Sequence, residues 1–141
     1  MKSFITYKDV RFGHVDPAGI VYFPRIYDYV HEAFEELWAV HVGKRYYDLV
    51  AVDRLGFPLV HSEVDFKHPL RFGDRASVRI TCFRLGRSSL GLRYQYSLDE
   101  TACVDARMTT ACVNLDALEA REIPASYRAK FEEIGEHLED Q

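Results

Sequence analysis

The chain has 141 residues, a length that suits one hydrophobic core, so a single domain over residues 1–141 is expected. Hydrophobic residues make up 48% and charged residues 28%, which excludes an intrinsically disordered chain. With 18 Lys plus Arg against 22 Asp plus Glu, the formal net charge is -4, and neither nucleic acid nor an anionic membrane is expected as a partner.

Ser3 to Phe12 sets Phe4, Ile5, Tyr7 and Val10 among polar residues without an internal Gly or Pro, which predicts a first strand that Gly13 ends. Asp16-Pro17 reads as a helix start, a carboxylate able to cap free N–H groups ahead of a proline that has none to satisfy. Pro24 interrupts that pattern. Ile26, Val30, Ala33, Phe34, Leu37 and His41 then recur at spacings of three and four until Gly43, predicting a long central helix with one dominant apolar face. From Pro24 to Val42 it would run roughly 28 Å. Tyr46, Leu49, Val50 and Val52 predict a shorter helix over Arg45 to Leu55, closed by Gly56 and Pro58.

Beyond it the period changes to two. Val60, Ser62, Val64 and Phe66 alternate with polar neighbours, as do Val78, Ile80 and Cys82, and Leu90, Leu92, Tyr94, Tyr96 and Leu98. These are predicted strands, and another runs from Cys103 to Leu115. Arg71-Phe72-Gly73-Asp74, Gly86-Arg87-Ser88 and the Asp99-Glu100 pair supply turns, so the four consecutive strands are expected to be antiparallel. The segment after Pro124 reads as one acidic surface helix. The whole is an α+β pattern in which one helix buries its apolar face on a five-stranded antiparallel sheet.

Cys82, Cys103 and Cys112 form no C-x-x-C pair and cannot all pair within one chain, which fits a reducing, cytoplasmic setting. Met1 to Asp9 carries charges where a secretory signal would be apolar, and no stretch approaches the roughly 18 apolar residues of a membrane span. His14, His31, His61 and His68 form no compact ligand set and follow no G-x-S-x-G, so neither a metal nor a serine triad is expected. No other cofactor is expected. Glu32, Glu35 and Glu36 lie on the long helix, where two of them are expected on its solvated side and one could face a pocket if a partner subunit covers the helix.

Asp16 has two readings. It caps the helix, or its carboxylate works beside open N–H groups that stabilise the oxygen of a carbonyl under attack. Arg84, Arg87 and Arg93, with Ser88 and Ser89, gather around one predicted hairpin. They are either solvent-exposed turn residues or a means of holding a phosphate.

The run Phe12-Gly13-His14-Val15-Asp16-Pro17-Ala18-Gly19-Ile20-Val21-Tyr22-Phe23-Pro24-Arg25-Ile26-Tyr27 resembles the signature of the 4-hydroxybenzoyl-CoA thioesterase family of hot-dog proteins. The likeness continues through Glu63-Val64-Asp65-Phe66, Pro69-Leu70-Arg71-Phe72-Gly73-Asp74 and Gly86-Arg87-Ser88-Ser89, and so covers Ser3 to Leu115. It implies a hot-dog fold, an antiparallel sheet wrapped around the long helix. It also implies protomers paired into one continuous sheet as a homodimer or homotetramer, with an acyl-CoA site at their interface. By motif position, it implies Asp16 as the catalytic carboxylate and the Phe23 backbone N–H as the oxyanion donor. Arg87, Ser88 and Ser89 would meet the nucleotide end of CoA. Tyr22, Phe23 and Tyr27 would wall the acyl pocket, or pack in the core.

The Asp and His constellation of hot-dog hydratases is absent, which favours hydrolysis. The resemblance therefore implies an acyl-CoA thioesterase acting on an aromatic group, such as 4-hydroxybenzoyl or benzoyl, or on a short aliphatic one. A thioesterase of acyl-carrier protein is one alternative and would depend on a basic docking surface. A non-catalytic acyl-CoA-binding protein is another, although the chain has no DNA-reading domain to give a sensor its output.

Overall fold

The computed structural model describes residues 2–139. Strand β1 (Phe4–Asp9) leads through a 3-10 turn at Phe12–His14 and a bridged, extended segment into helix α1 (Arg25–Glu36). The helix runs on as a π-helical stretch, Leu37–Val42, and stops at Gly43, whose φ of 86° is left-handed backbone that favours glycine. Helix α2 (Tyr46–Ala51) and the short β2 (Leu55–Gly56) follow. Next come β3 (Leu59–Phe66), β4 (Arg75–Leu85), β5 (Ser89–Leu98) and β6 (Thr101–Ala111). After these come β7 (Val113–Asn114), β8 (Glu119–Ala120), α3 (Ala125–Glu132) and β9 (Gly135–Glu139).

The main sheet has the order β1-β4-β5-β6-β3, all antiparallel, and β9 pairs parallel to β4 beside β1. Strands β2, β7 and β8 form a small separate sheet. The main sheet is thus six-stranded rather than five-stranded. The tail is no single surface helix either: α3 and β9 return to β4, with Phe131 and Ile134 buried and the Cys82 N–H donating to the Ile134 carbonyl at 2.8 Å. Burial of those two apolar residues closes the part of the β4 edge that β1 leaves uncovered.

Strands β3 and β4 are consecutive without being neighbours. The connection between them is pinned to the segment before α1, where Val21 N–H donates to the Leu70 carbonyl at 2.8 Å and Ile20 bridges Arg71. Strand β3 accordingly crosses to the far side of β6 and becomes an edge. Val60 and Phe66 alternate like core positions yet are 62% and 55% exposed, because no strand lies beyond them.

Ile26, Val30, Ala33, Phe34 and Leu37 are buried as their spacing predicts, and they form one cluster with Val78, Ile80 and Cys82 of β4 and Leu90, Leu92, Tyr94 and Tyr96 of β5. Each large apolar side chain so buried stabilises the fold by about 1.5–3 kcal/mol. Trp38 adds an aromatic hub, its ring 5.1 to 5.8 Å from those of Tyr46, Phe57, Tyr127 and Phe131. No helix among the described residues is long and apolar enough to cross a membrane.

Opposite a bulge in β4 between Cys82 and Arg84, a Cβ at Gly91 would lie 2.7 Å from the Phe83 ring and 2.8 Å from the Arg84 Cβ. Gly91→Ala is expected to cost about 1–3 kcal/mol, the range for overpacking a close contact. A lower urea midpoint with an unchanged slope is the measurement that checks this.

Candidate active site

Asp16-Pro17-Ala18-Gly19 folds on itself. Gly19 N–H donates to the Asp16 carbonyl at 2.8 Å, Ala18 N–H donates to Asp16 Oδ1 at 2.8 Å, and Gly19 has a φ of 82°. Asp first, Pro second and Gly fourth is also a β-turn pattern, with the aspartate side chain bonding the backbone two residues on. The turn prevails over a helix start because Asp16 N–H is held by the Ile20 carbonyl at 2.9 Å and Val15 bridges Val21. The expectation that the helix begins at Asp16-Pro17 is therefore overturned. Helix α1 starts at Arg25 with Pro24 as its N-cap, so Pro24 opens the helix rather than interrupting it, and Asp16 does not cap it.

The real helix start leaves one donor open. Arg25, Ile26 and Tyr27 N–H donate to the carbonyls of Tyr22, Phe23 and Pro24 at 2.8, 3.1 and 3.2 Å, while Tyr22 N–H donates to the His14 carbonyl at 2.9 Å. Among the described residues the Phe23 N–H has no acceptor. It sits where the helix dipole is positive, the arrangement that receives an anion or an oxyanion.

Phe23 lines an apolar cavity of about 380 Å³, together with Ile20, Val21, Ile26, Phe66 and Val104 among others. The Asp16 turn is one hydrogen bond from its wall, through Ile20. A second cavity of about 290 Å³ lies between α1 and the sheet, with Tyr27, Phe34, Tyr46, Tyr94 and Met108 in its walls. Both reach β3, through Phe66 in one case and Leu59 in the other.

Tyr22, Phe23 and Tyr27 are exposed rather than core residues. Phe23 lines the first cavity and Tyr27 the second, with Tyr27 Oη 3.1 Å from Ser62 Oγ on β3. Tyr22 packs edge-on against Phe23 at 5.6 Å and lines neither.

Arg87, Ser88 and Ser89 lie elsewhere. They occupy the β4–β5 turn, which Gly86 N–H closes on the Ser89 carbonyl at 2.8 Å, at the opposite end of β4 from the Asp16 segment. Roughly 35 Å of strand separates the two ends. Ile123 and Cys112 N–H donate to the Arg87 and Ser88 carbonyls at 2.9 and 2.7 Å. Arg87 itself is exposed. Arg93 does not join it: its Nε and guanidinium nitrogen hold Asp105 at 3.0 and 2.7 Å, and this bonding keeps the Asp105 carboxyl below its ordinary range against the opposing effect of burial. A single protomer therefore places Asp16 and Phe23 on one bridged loop and leaves Arg87, Ser88 and Ser89 apart from them.

One contact beside the site follows from no local period in the sequence. His14 Nδ1 lies 2.8 Å from Tyr29 Oη, although the two residues are fifteen positions apart. Among the described residues no group of three or more His, Cys, Asp and Glu could hold a metal ion.

Residues 10–131 match the model of the thioesterase-like superfamily. The chain belongs to that superfamily. This thioesterase is 29% identical over 123 residues to a 1,4-dihydroxy-2-naphthoyl-CoA hydrolase of Nostoc punctiforme, covering 86% of this chain and 82% of the relative. It is 30% identical over 124 residues to one of the same name from Synechocystis, covering 88% and 89%. Its fold superposes on the crystal structure of a 1,4-dihydroxy-2-naphthoyl-CoA thioesterase from Synechocystis with a TM-score of 0.85 at 24% identity, over 94% of this chain and 98% of that one. A gentisyl-coenzyme A thioesterase gives a TM-score of 0.82 at 26% identity, over 91% and 99%. The fold is the hot-dog arrangement, and the enzyme is a thioester hydrolase.

Proposed function

We propose that this thioesterase hydrolyses an aromatic acyl-CoA to the free acid and CoA, in a site shared between two copies of the chain. The observation that carries the reading is the open N–H of Phe23, a residue that lines an apolar cavity, with Asp16 on the adjoining turn. The thioester carbonyl oxygen would lie against that N–H. Asp16 then either attacks the carbon, giving a mixed anhydride that water opens, or takes a proton from an attacking water. In both routes the oxyanion is held at the helix start, and the CoA thiolate leaves when the carbonyl re-forms.

Aromatic rings in the cavity walls support a flat acyl group, and the two volumes, about 380 and 290 Å³, are near the lower end for small-ligand sites. The related enzymes named for dihydroxynaphthoyl and gentisyl thioesters point to hydroxylated rings. 4-Hydroxybenzoyl-CoA and benzoyl-CoA belong to the same chemical class.

The open β3 edge supports a shared site. Two copies paired through β3 about a two-fold axis run antiparallel, so the Leu59 end of one meets the Phe66 end of the other. Leu59 pairs with Thr110 and Thr110 with Leu90, beside the Arg87 turn, whereas Phe66 borders the cavity of Phe23. The partner's turn would thereby come toward Asp16, supplying a cation to the CoA phosphates. Exposed Val60 and Phe66 supply apolar area for the pairing.

Asp16→Asn keeps an oxygen for the Ala18 N–H and removes the charge. It is expected to melt with wild type and bind substrate while kcat falls by at least about 10², measured by single-turnover hydrolysis. Wild-type turnover in the folded variant would remove Asp16 from the chemistry. Arg87→Ala is expected to raise KM for acyl-CoA roughly fivefold, with little change for an acyl-pantetheine that lacks the nucleotide. Equal effects on the two substrates would place the nucleotide elsewhere. Light scattering across a dilution series should find a dimer or larger assembly, with specific activity dropping as monomer appears. A fully active monomer is incompatible with a shared site.

A further inference from the structure

We propose that His14 is a positioning residue for this hydrolysis, clamping the Asp16 turn and the Phe23 amide onto the body of α1 through its hydrogen bond to Tyr29. The inference rests on the assignment of Asp16 and Phe23 made above.

The anchor is rigid. Tyr29 belongs to the buried face of α1 and is 1% exposed. From β1, Lys8 Nζ lies 4.7 Å over the Tyr29 ring and pairs with Glu32 on the next turn of the same helix. The His14 ring meets the Tyr29 ring edge-on at 5.4 Å, with Nδ1 and Oη 2.8 Å apart. Among the described residues this is the side-chain hydrogen bond that joins residues 12–23 to α1.

The same residue reaches both parts of the site. Its side chain is fixed to the helix, and its carbonyl accepts the Tyr22 N–H at 2.9 Å, one residue before the open Phe23 amide. Asp16 follows two positions later, held by the Ile20 carbonyl in the same loop. Release of His14 from Tyr29 frees the acceptor of the Tyr22 N–H and the loop that presents the carboxylate together. A misplacement of about 1 Å in such a constellation can cost on the order of 10² in rate.

The donor and acceptor of the pair are set by their surroundings. Arg11 N–H also points at His14 Nδ1, at 3.4 Å, so Nδ1 accepts and the Tyr29 hydroxyl donates. That assignment needs a neutral imidazole protonated on Nε2. Partial burial, then the charges of Lys8 and Arg25, hold His14 below its ordinary 6.5, with Arg11 adding to the effect and Glu32 opposing it. Burial, aided by Glu32 against Arg25, pushes the Tyr29 phenol up to about 12, so it keeps its proton.

Four variants test the clamp: Tyr29→Phe, His14→Ala, His14→Asn and Asp16→Asn. Each is assayed for kcat and KM on the best acyl-CoA, for hydrogen exchange of residues 14–24, and for its thermal melt. Tyr29→Phe and His14→Ala are expected to fold, to lose about tenfold or more in kcat with KM within about threefold, and to exchange faster over that segment. In His14→Asn the side-chain oxygen stands near the place of Nδ1 and can accept from Tyr29, so most of kcat and the slow exchange should return.

Wild-type kcat in folded Tyr29→Phe, or a His14→Asn no better than His14→Ala, overturns the clamp. Should His14→Ala fail to fold, Tyr29→Phe, which deletes one oxygen from a retained ring, decides the matter by the same readouts. Asp16→Asn separates the two inferences. Full activity in that variant removes the catalytic assignment on which the clamp depends, whereas an inactive Asp16→Asn beside a fully active Tyr29→Phe removes the clamp alone.

Discussion

Burial of one face of the helix that runs from Arg25 to Val42 is the constraint on which the other features hang. Ile26, Tyr29, Val30, Ala33, Phe34, Leu37 and Trp38 are all buried in one core cluster with the inward residues of the sheet. At about 1.5–3 kcal/mol for each large apolar side chain, this one contact is comparable with the net stability of a typical domain. It also fixes the direction of the helix, and with it the place of the open Phe23 amide. Because Tyr29 is part of the buried face, the hydroxyl that meets His14 is located by the core and inherits its rigidity.

A second consequence concerns the edges. Strand β4 is covered on its outer side by β1 and then β9, whereas β3 has a neighbour on one side and exposed apolar residues along its length. Such an edge is a template for another strand. In the proposed reaction, Arg87 and Asp16 serve one substrate from opposite ends of β4. The proposed two-fold pairing through β3 would bring them together without any rearrangement, because antiparallel symmetry exchanges the two ends.

Much of this was legible in the residues, for identifiable reasons. The helix face and the inward rows of β4 and β5 have strong periods, and their residues are buried where those periods put them. Glycine at 43 marked the helix stop because the left-handed backbone there favours it. Asp16-Pro17 misled because one dipeptide serves both a helix start and a β-turn, and only the bonds from Ile20 and the Val15–Val21 bridge decide between them. Alternation in β3 could not reveal an edge, since period two says which face a side chain takes and nothing about what lies beside the strand. The Phe131 and Ile134 contacts that turn the tail back to β4, and the His14–Tyr29 pair, depend on tertiary closure between distant segments. The Asp16 motif was found through family likeness, while its geometry, a turn of its own detached from the helix, came only from the fold.

That detachment has an electrostatic meaning for the proposed reaction. Asp16 is held by the Ala18 and Ile20 backbone, and Phe23 by the start of α1, whose Ile26 N–H donates to its carbonyl, so the two proposed charge positions sit at different points of the loop that precedes α1. As nucleophile, the carboxylate passes its negative charge to the thioester oxygen when the new bond forms. As base, it is neutralised by the proton of water while that oxygen becomes negative. In either route the site carries one negative charge throughout, displaced from the turn toward the helix start. Once substrate and a partner protomer exclude water from the proposed site, its apolar wall would make the displacement matter more than it does in water, because the positive end of the helix and the Phe23 N–H would be poorly screened there. The enzyme need not create or bury a new charge in the transition state. It has only to keep the turn and the helix start at a fixed separation while one charge moves between them, which is the property a rigid tie between the loop and α1 would supply.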